Sequence, residues 1–154
     1  ISPSEANEFI RNYLDRFFEL RNWLEATKDF AHQHGYVETL FGRRVHISGI
    51  NEKSGPRRNG AERQAINAPL QGTAADIIKR AMIRVVPAVA EARLGARLLM
   101  QVHDELVFEV PLKELDATAK LVKQVMENAC APSVTLRVPL VADFGHAANW
   151  AEAH

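Results

Sequence analysis

An α+β fold with an antiparallel sheet follows from three features of the 154-residue sequence. Long segments near the start, middle and end carry apolar residues at helical spacing. Two shorter stretches, YVETLFGRRVHI and LLMQVHDELVFEV, flank a compact polar centre with β-type residues, as hairpins do. Helices interspersed with hairpins, rather than alternating with single strands, favour antiparallel pairing.

The elements follow in chain order. Ser2 is placed to cap a helix, Pro3 suits its first turn, and Glu5 lies near its positive end. Phe9, Tyr13, Phe17, Leu20 and Leu24 then share one helical face, and Gly35 is a stop, so one helix is predicted as far as about His34. The first hairpin turns around Phe41, Gly42 and Arg43. Residues 48–60, SGINEKSGPRRNG, are polar and glycine-rich and read as an exposed loop. A second helical pattern covers residues 61–89, with Pro69 expected to break or kink it. After Gly95, strands are predicted over 96–102 and 106–110. Pro111 opens a third helix with Leu115, Ala119, Val122, Val125 and Met126 as its stripe. Residues 134–145, VTLRVPLVADFG, read as a last strand.

Nineteen Lys and Arg balance nineteen Asp and Glu, so net charge selects no partner. The charges are uneven along the chain, however. Arg43, Arg44, Lys53, Arg57, Arg58 and Arg63 make residues 34–67 basic. Asp104, Glu105, Glu109, Glu114, Asp116 and Glu127 make residues 101–129 acidic. Such a chain could hold phosphates in one place and a cation in another. Cys130 is the only cysteine, which rules out a disulfide framework or a cysteine-rich zinc site. No apolar run approaches ~20 residues, so no membrane partner is expected and the cytoplasm is the default compartment. The chain opens on Ile1 rather than Met, which suggests a segment of something longer.

Two constellations could carry chemistry. In the first, His103, Asp104 and Glu105 sit at the turn of the second hairpin. A polar hairpin tip is one reading, since turns favour Asp, although this tip lacks the Gly or Asn that positive φ prefers. A Mg²⁺ site is the other, since hard cations take one or two carboxylates with waters and phosphates. In the second, Arg63, Asn67 and Gln71 lie four residues apart and would line one helical face. They are either a solvated face or an array of donors and amides for base edges and sugars. Arg43 and Arg44, with the basic loop, could meet phosphates. No Gly-rich phosphate loop, nucleophile elbow or His-Glu-x-x-His spacing is present.

The strings GYVETLFGRR (35–44), AERQAINAPLQGTAADIIKRAM (61–82), MQVHDELVFEVP (100–111) and NWAEAH (149–154) resemble the end of the polymerase domain in bacterial family A DNA polymerases. The match covers essentially the whole chain, in order. The resemblance implies a partial palm and fingers: a helix over 1–34, the rear of the fingers and its junction with the palm over 35–90, and a palm with a catalytic hairpin over 91–154. Asp104 then corresponds to the palm aspartate that ligates the catalytic Mg²⁺ ions, Glu105 to its supporting neighbour, and His103 to a histidine beside the primer 3′ end. Arg63, Asn67 and Gln71 correspond to residues that contact primer–template DNA, Gln71 in the minor groove near the terminal pair. A second metal-binding aspartate and the dNTP-binding helix belong to regions of the family that these residues do not match. The segment alone is therefore expected to be inactive and to bind the two Mg²⁺ ions poorly, and its unmet apolar faces to self-associate.

Two rival readings are compatible with the same residues. A stand-alone nucleic-acid-binding module would bind duplex in EDTA and after Asp104→Ala. A self-contained metal-dependent phosphohydrolase would need Asp143 and His146 as further ligands.

Overall fold

The computed structural model describes residues 1–153 and contains four α-helices and two hairpins: α1 Pro3–Arg16, α2 Phe18–His34, β1 Tyr36–Glu38, β2 Arg44–His46, α3 Gly55–Glu91, β3 Arg97–Val102, β4 Glu105–Glu109 and α4 Leu115–Glu127. Both sheets are two-stranded and antiparallel, in keeping with the α+β expectation. The chain divides into two compact units, Ile1–Gly72 and Thr73–His154, with α3 contributing to each. No helix among the described residues is long and apolar enough to cross a membrane.

In the first unit, a capping box starts α1. The Ser2 amide donates to Glu5 Oε2 at 2.7 Å and the Glu5 amide donates to Ser2 Oγ at 3.3 Å. The expected single helix is interrupted at Phe17, where φ is −110° and ψ 62°. No Gly or Pro marks that break in the sequence. It is spanned instead by the Arg21–Asp15 ion pair and the Tyr13–Phe17 ring contact at 4.8 Å. As expected, α2 ends at Gly35, whose φ of 75° suits glycine. The first hairpin pairs Tyr36 with His46, Val37 with Val45 and Glu38 with Arg44. Its buried Val37 meets Ala31 of α2, Ile47, Ile50, and Ala61 and Ala65 of α3 in one core.

The predicted loop is shorter than its composition suggests, because α3 begins at Gly55. The Ser54 carbonyl accepts the Arg58 amide at 3.0 Å, and Pro56 falls in the first turn, where its missing N–H costs no hydrogen bond. The helix also runs through Pro69 without a break. Proline there removes the donor to the Ala65 carbonyl, but packing on Ala61 and Ala65 keeps the helical path.

In the second unit, Val85 and Val89 of α3 and Ala96 form a core with Leu94, Phe108, Val110, Leu121, Val122 and Val125. This core holds the second hairpin against α3 and α4. A single 3₁₀ turn, Leu112–Glu114, leads into α4. Arg80 and Arg84, one helical turn apart on α3, grip the segment after α4. Arg80 Nε donates to the Ala129 carbonyl at 3.0 Å and Nη2 to Ser133 Oγ at 2.9 Å. The Arg84 guanidinium donates to the carbonyls of Asn128 at 3.0 Å and Ala131 at 2.6 Å. The predicted strand over 134–145 does not form. Pro139 removes a ladder donor, and the Ala142 amide goes to Glu127 Oε1 at 3.2 Å instead of to a neighbouring strand.

Candidate functional site

The second hairpin is built to aim its turn. Val102 pairs with Glu105, leaving His103 and Asp104 as a two-residue loop. Glycine is missing from the position that wants positive φ, and His103 occupies it at φ 51°. Histidine is one of the few side chains that enter this region with any frequency, though at a cost of about 1–3 kcal/mol. Gln101 Nε2 donates to the His103 carbonyl at 2.6 Å and fastens the turn from one side. Farther down, the register shifts between Leu98 and Met100, so Leu99 is a bulge that adds twist. Arg97 Nε donates to Glu109 Oε2 at 3.2 Å at the open end. That bond, and then the Glu109 charge, raise the Arg97 pKa above its already high ordinary value.

Asp104 and Glu105 are exposed, as is His103, and the Asp104 carboxylate has no hydrogen-bond or ion-pair partner among the described residues. The hairpin faces are less buried than their apolar sequence suggests, since Leu99 and Met100 remain about half exposed. Among the described residues no three His, Cys, Asp or Glu side chains come together as a metal cage, so Asp143 and His146 do not complete one with the turn. Asp143 lies 3.9 Å from Lys123 Nζ instead. The chain thus offers adjacent carboxylates on a rigid, open turn. That donor set fits Mg²⁺ held by one or two protein oxygens, with waters and phosphates filling the remaining positions.

The other constellation also forms. Arg63, Asn67 and Gln71 lie on α3 in the first unit, each about 6 Å farther along the axis than the last. All three are exposed, and none has a side-chain partner among the described residues. A row of unspent donors and amides beside a well-paired surface is what a ligand-facing helix needs.

The basic stretch is more committed. Arg44 Nε donates to Glu38 Oε1 at 3.0 Å, and its guanidinium lies 4.5 Å from the Tyr36 ring centre. Arg57 pairs with Glu52 at 3.4 Å and Arg58 with Glu62 at 3.8 Å. Arg43 Nη2 donates to the Gly72 carbonyl at 3.0 Å.

Sequence reasoning missed one polar junction. His32 Nδ1 lies 2.9 Å from Asn51 Oδ1 and Nε2 lies 3.1 Å from Glu62 Oε1, while Asn51 Nδ2 donates to the His32 carbonyl at 2.9 Å. It links α2, the loop and α3 across distances in sequence that spacing rules do not span.

The sequence model for DNA polymerase family A matches residues 1–152. The chain belongs to this family. It is 46% identical to DNA polymerase I of Rhizobium leguminosarum over 100% of its own length and 15% of that protein. Against the thermostable DNA polymerase I of Thermus aquaticus it is 44% identical over 99% of its length and 18% of the relative. Its fold matches the polymerase domain of Pol1 from M. smegmatis, solved in complex with DNA primer-template and dNTP. The TM-score is 0.84 at 44% identity, over 91% of this chain and 24% of that one. The chain therefore spans about a sixth of the curated relatives it matches.

Proposed function

We propose that this chain is the palm-and-rear-fingers part of a DNA-directed DNA polymerase, with primer–template DNA and dNTPs as partners. The observation that carries the reading is the unpartnered Asp104 carboxylate, held at the strained turn of a hairpin in a member of DNA polymerase family A. In the reaction, the primer 3′-hydroxyl attacks the α-phosphate of a dNTP and pyrophosphate leaves. Asp104, with Glu105 beside it, would hold the Mg²⁺ whose charge favours the attacking alkoxide and the departing phosphates. His103 lies next to them on the same turn and would border the primer terminus.

Arg63, Asn67 and Gln71 would meet the duplex from the exposed row on α3. Minor-groove acceptors are nearly alike in all base pairs, so an amide there senses pairing geometry without choosing a sequence. Arg44 is a weaker phosphate candidate because Glu38 already neutralises it. The proposed boundaries are fingers and junction over 35–90 and palm over 91–154. Because no third ligand among the described residues joins Asp104 and Glu105, the segment alone should bind Mg²⁺ poorly and extend no primer. Its α1 buries no residue and leaves Phe9, Ile10 and Tyr13 exposed, so the isolated segment should self-associate.

Primer extension with Mg²⁺ and four dNTPs tests the reading in two settings. A polymerase containing this segment should extend the primer in an Asp104-dependent way, and the segment alone should not. Extension that survives Asp104→Ala in the larger protein would overturn the proposal. The alternative, a binding module without chemistry, is favoured by the α3 row alone. It would show as duplex binding in EDTA with no Asp104-dependent synthesis in any setting.

A further inference from the structure

Arg43 stands at the tip of the first hairpin, where composition suggests a phosphate contact, yet its guanidinium is turned onto α3. Nη2 donates to the Gly72 carbonyl at 3.0 Å. The hairpin side of this contact is stiff. Thr39 is buried, and its Oγ1 accepts the amides of Phe41 at 3.3 Å and Arg43 at 3.2 Å. The turn closes with Thr39 N–H to the Arg43 carbonyl at 3.0 Å and Gly42 N–H to the Thr39 carbonyl at 2.9 Å.

The helix side is shaped to receive it. A Cβ on Gly72 would lie 2.7 Å from Thr39 Cγ2 and 3.1 Å from Arg43 Nη2. Glycine weakens a helix interior, and here its lack of a side chain is what lets the helix backbone reach the turn. Pro69, three residues earlier, has already removed one helical donor. Between these two weak points stands Gln71, exposed and without a side-chain partner among the described residues.

We infer that the Thr39–Arg43–Gly72 contact is a clamp that fixes the helical turn presenting Gln71, making Arg43 a positioning residue that acts on DNA through Gln71 rather than by binding a phosphate. The inference rests on the proposed role of the α3 row. Its physical basis is the narrow range of a hydrogen bond, about 2.7–3.2 Å, which a loosened helical turn would not hold for an amide reading a groove. An arginine held by a helix carbonyl on the far side of a stiff turn restores the rigidity that Pro69 and Gly72 remove.

The test is a double-mutant cycle in a polymerase containing this segment, with Arg43→Ala, Gln71→Ala and both together. Extension from matched and mismatched primer termini is measured, along with duplex affinity across a salt series. The clamp predicts that Arg43→Ala lowers matched-over-mismatched discrimination by about the factor seen for Gln71→Ala. The double variant should be no worse than the poorer single one. The slope of log affinity against log salt should not change. A slope reduced by about 0.9, with multiplicative losses in the double variant, would make Arg43 a phosphate ligand and overturn the inference. So would unchanged discrimination in Arg43→Ala.

A second route uses shape. Gly72→Ala should reproduce the Arg43→Ala defect, and Thr39→Ser, which removes the obstructing methyl and keeps Oγ1, should partly restore discrimination. No restoration counts against the clamp. A parent enzyme that extends no primer would defeat the polymerase reading on its own. The clamp would then be judged by hydrogen exchange around Gly72, which Arg43→Ala must accelerate if the contact exists.

Discussion

Replacing Arg80 by Met should destabilise the second unit far more than the same change at Arg84, although both arginines donate hydrogen bonds to the segment after α4. The difference lies in the acceptors. Ala129 is fully buried and its carbonyl takes Arg80 Nε at 3.0 Å, so Arg80→Met strands that oxygen away from water. An unsatisfied buried acceptor costs about 1–3 kcal/mol. Ser133, which accepts Arg80 Nη2, is exposed and water can replace the donor, adding about 0.5 kcal/mol at most. Met keeps most of the aliphatic stem, so packing changes little. The sum is roughly 1–3.5 kcal/mol. The Arg84 acceptors belong to Asn128 and Ala131, both exposed, and Arg84→Met should cost about 1 kcal/mol or less. Urea denaturation followed by circular dichroism separates the two. With a slope of about 2 kcal/mol per molar, a 2 kcal/mol loss lowers the midpoint by about 1 M. If Arg84→Met shifts the midpoint as much as Arg80→Met, or Arg80→Met shifts it by less than about 0.2 M, burial of the acceptor is not what sets the cost.

Four further outcomes follow. Val85→Ala removes two methyls from a side chain 1% exposed in the core behind the hairpin, and should cost roughly 2–3 kcal/mol in a thermal or chemical melt. In a polymerase containing this segment, Asp104→Asn should lower primer extension by at least about 10³-fold, equivalent to about 4 kcal/mol; a loss under tenfold would remove Asp104 from the metal site. Arg63→Ala should reduce the salt slope of duplex binding by about 0.9, and Arg44→Ala by less, because Glu38 already pairs with Arg44 at 3.0 Å. The hydrogen bonds from the Ser2 amide and side chain hold the Glu5 pKa below its ordinary value. Their support of α1 is therefore complete above the ordinary glutamate range and fades as pH falls through the lowered value. Helicity of α1 measured by NMR should drop on acidification in the parent and stay flat over that window in Glu5→Gln.

The sequence made the candidate residues legible because each belongs to a short-range pattern. Four-residue spacing put Arg63, Asn67 and Gln71 on one face, and the apolar runs on both sides of His103–Asp104 located the turn. The expected strands over 96–102 and 106–110 lie within about one residue of those observed. Contacts that close over long sequence separations were not legible. Arg43 meets Gly72 across 29 residues, Arg80 meets Ser133 across 53, and His32 meets Glu62 across 30. Nothing in spacing or propensity encodes those pairings. Tertiary packing also overrides local signals. Pro69 did not break α3, because Ala61 and Ala65 are anchored in the core, and residues 134–145 formed no strand despite their β-type composition.

The same contrast explains why Asp104 is poised rather than buried. A carboxylate placed inside the Val85–Phe108 core would need a partner or would lose its charge. At the tip of a two-residue turn it stays exposed to water, and the left-handed His103 sets its direction at the cost of local strain. The core holds the strands, the strands fix the turn, and the turn presents a charge that the chain itself does not neutralise. A cation and phosphates arriving from outside would therefore meet an acceptor whose position is settled beforehand. That makes the orientation of the turn separable from its charge. Gln101→Ala, which removes the 2.6 Å bond to the His103 carbonyl, leaves the carboxylate in place while loosening its aim. In a polymerase containing this segment it should lower the rate of primer extension by about tenfold, the equivalent of one exposed hydrogen bond, with duplex affinity unchanged. An unchanged rate would mean that the strands alone orient Asp104.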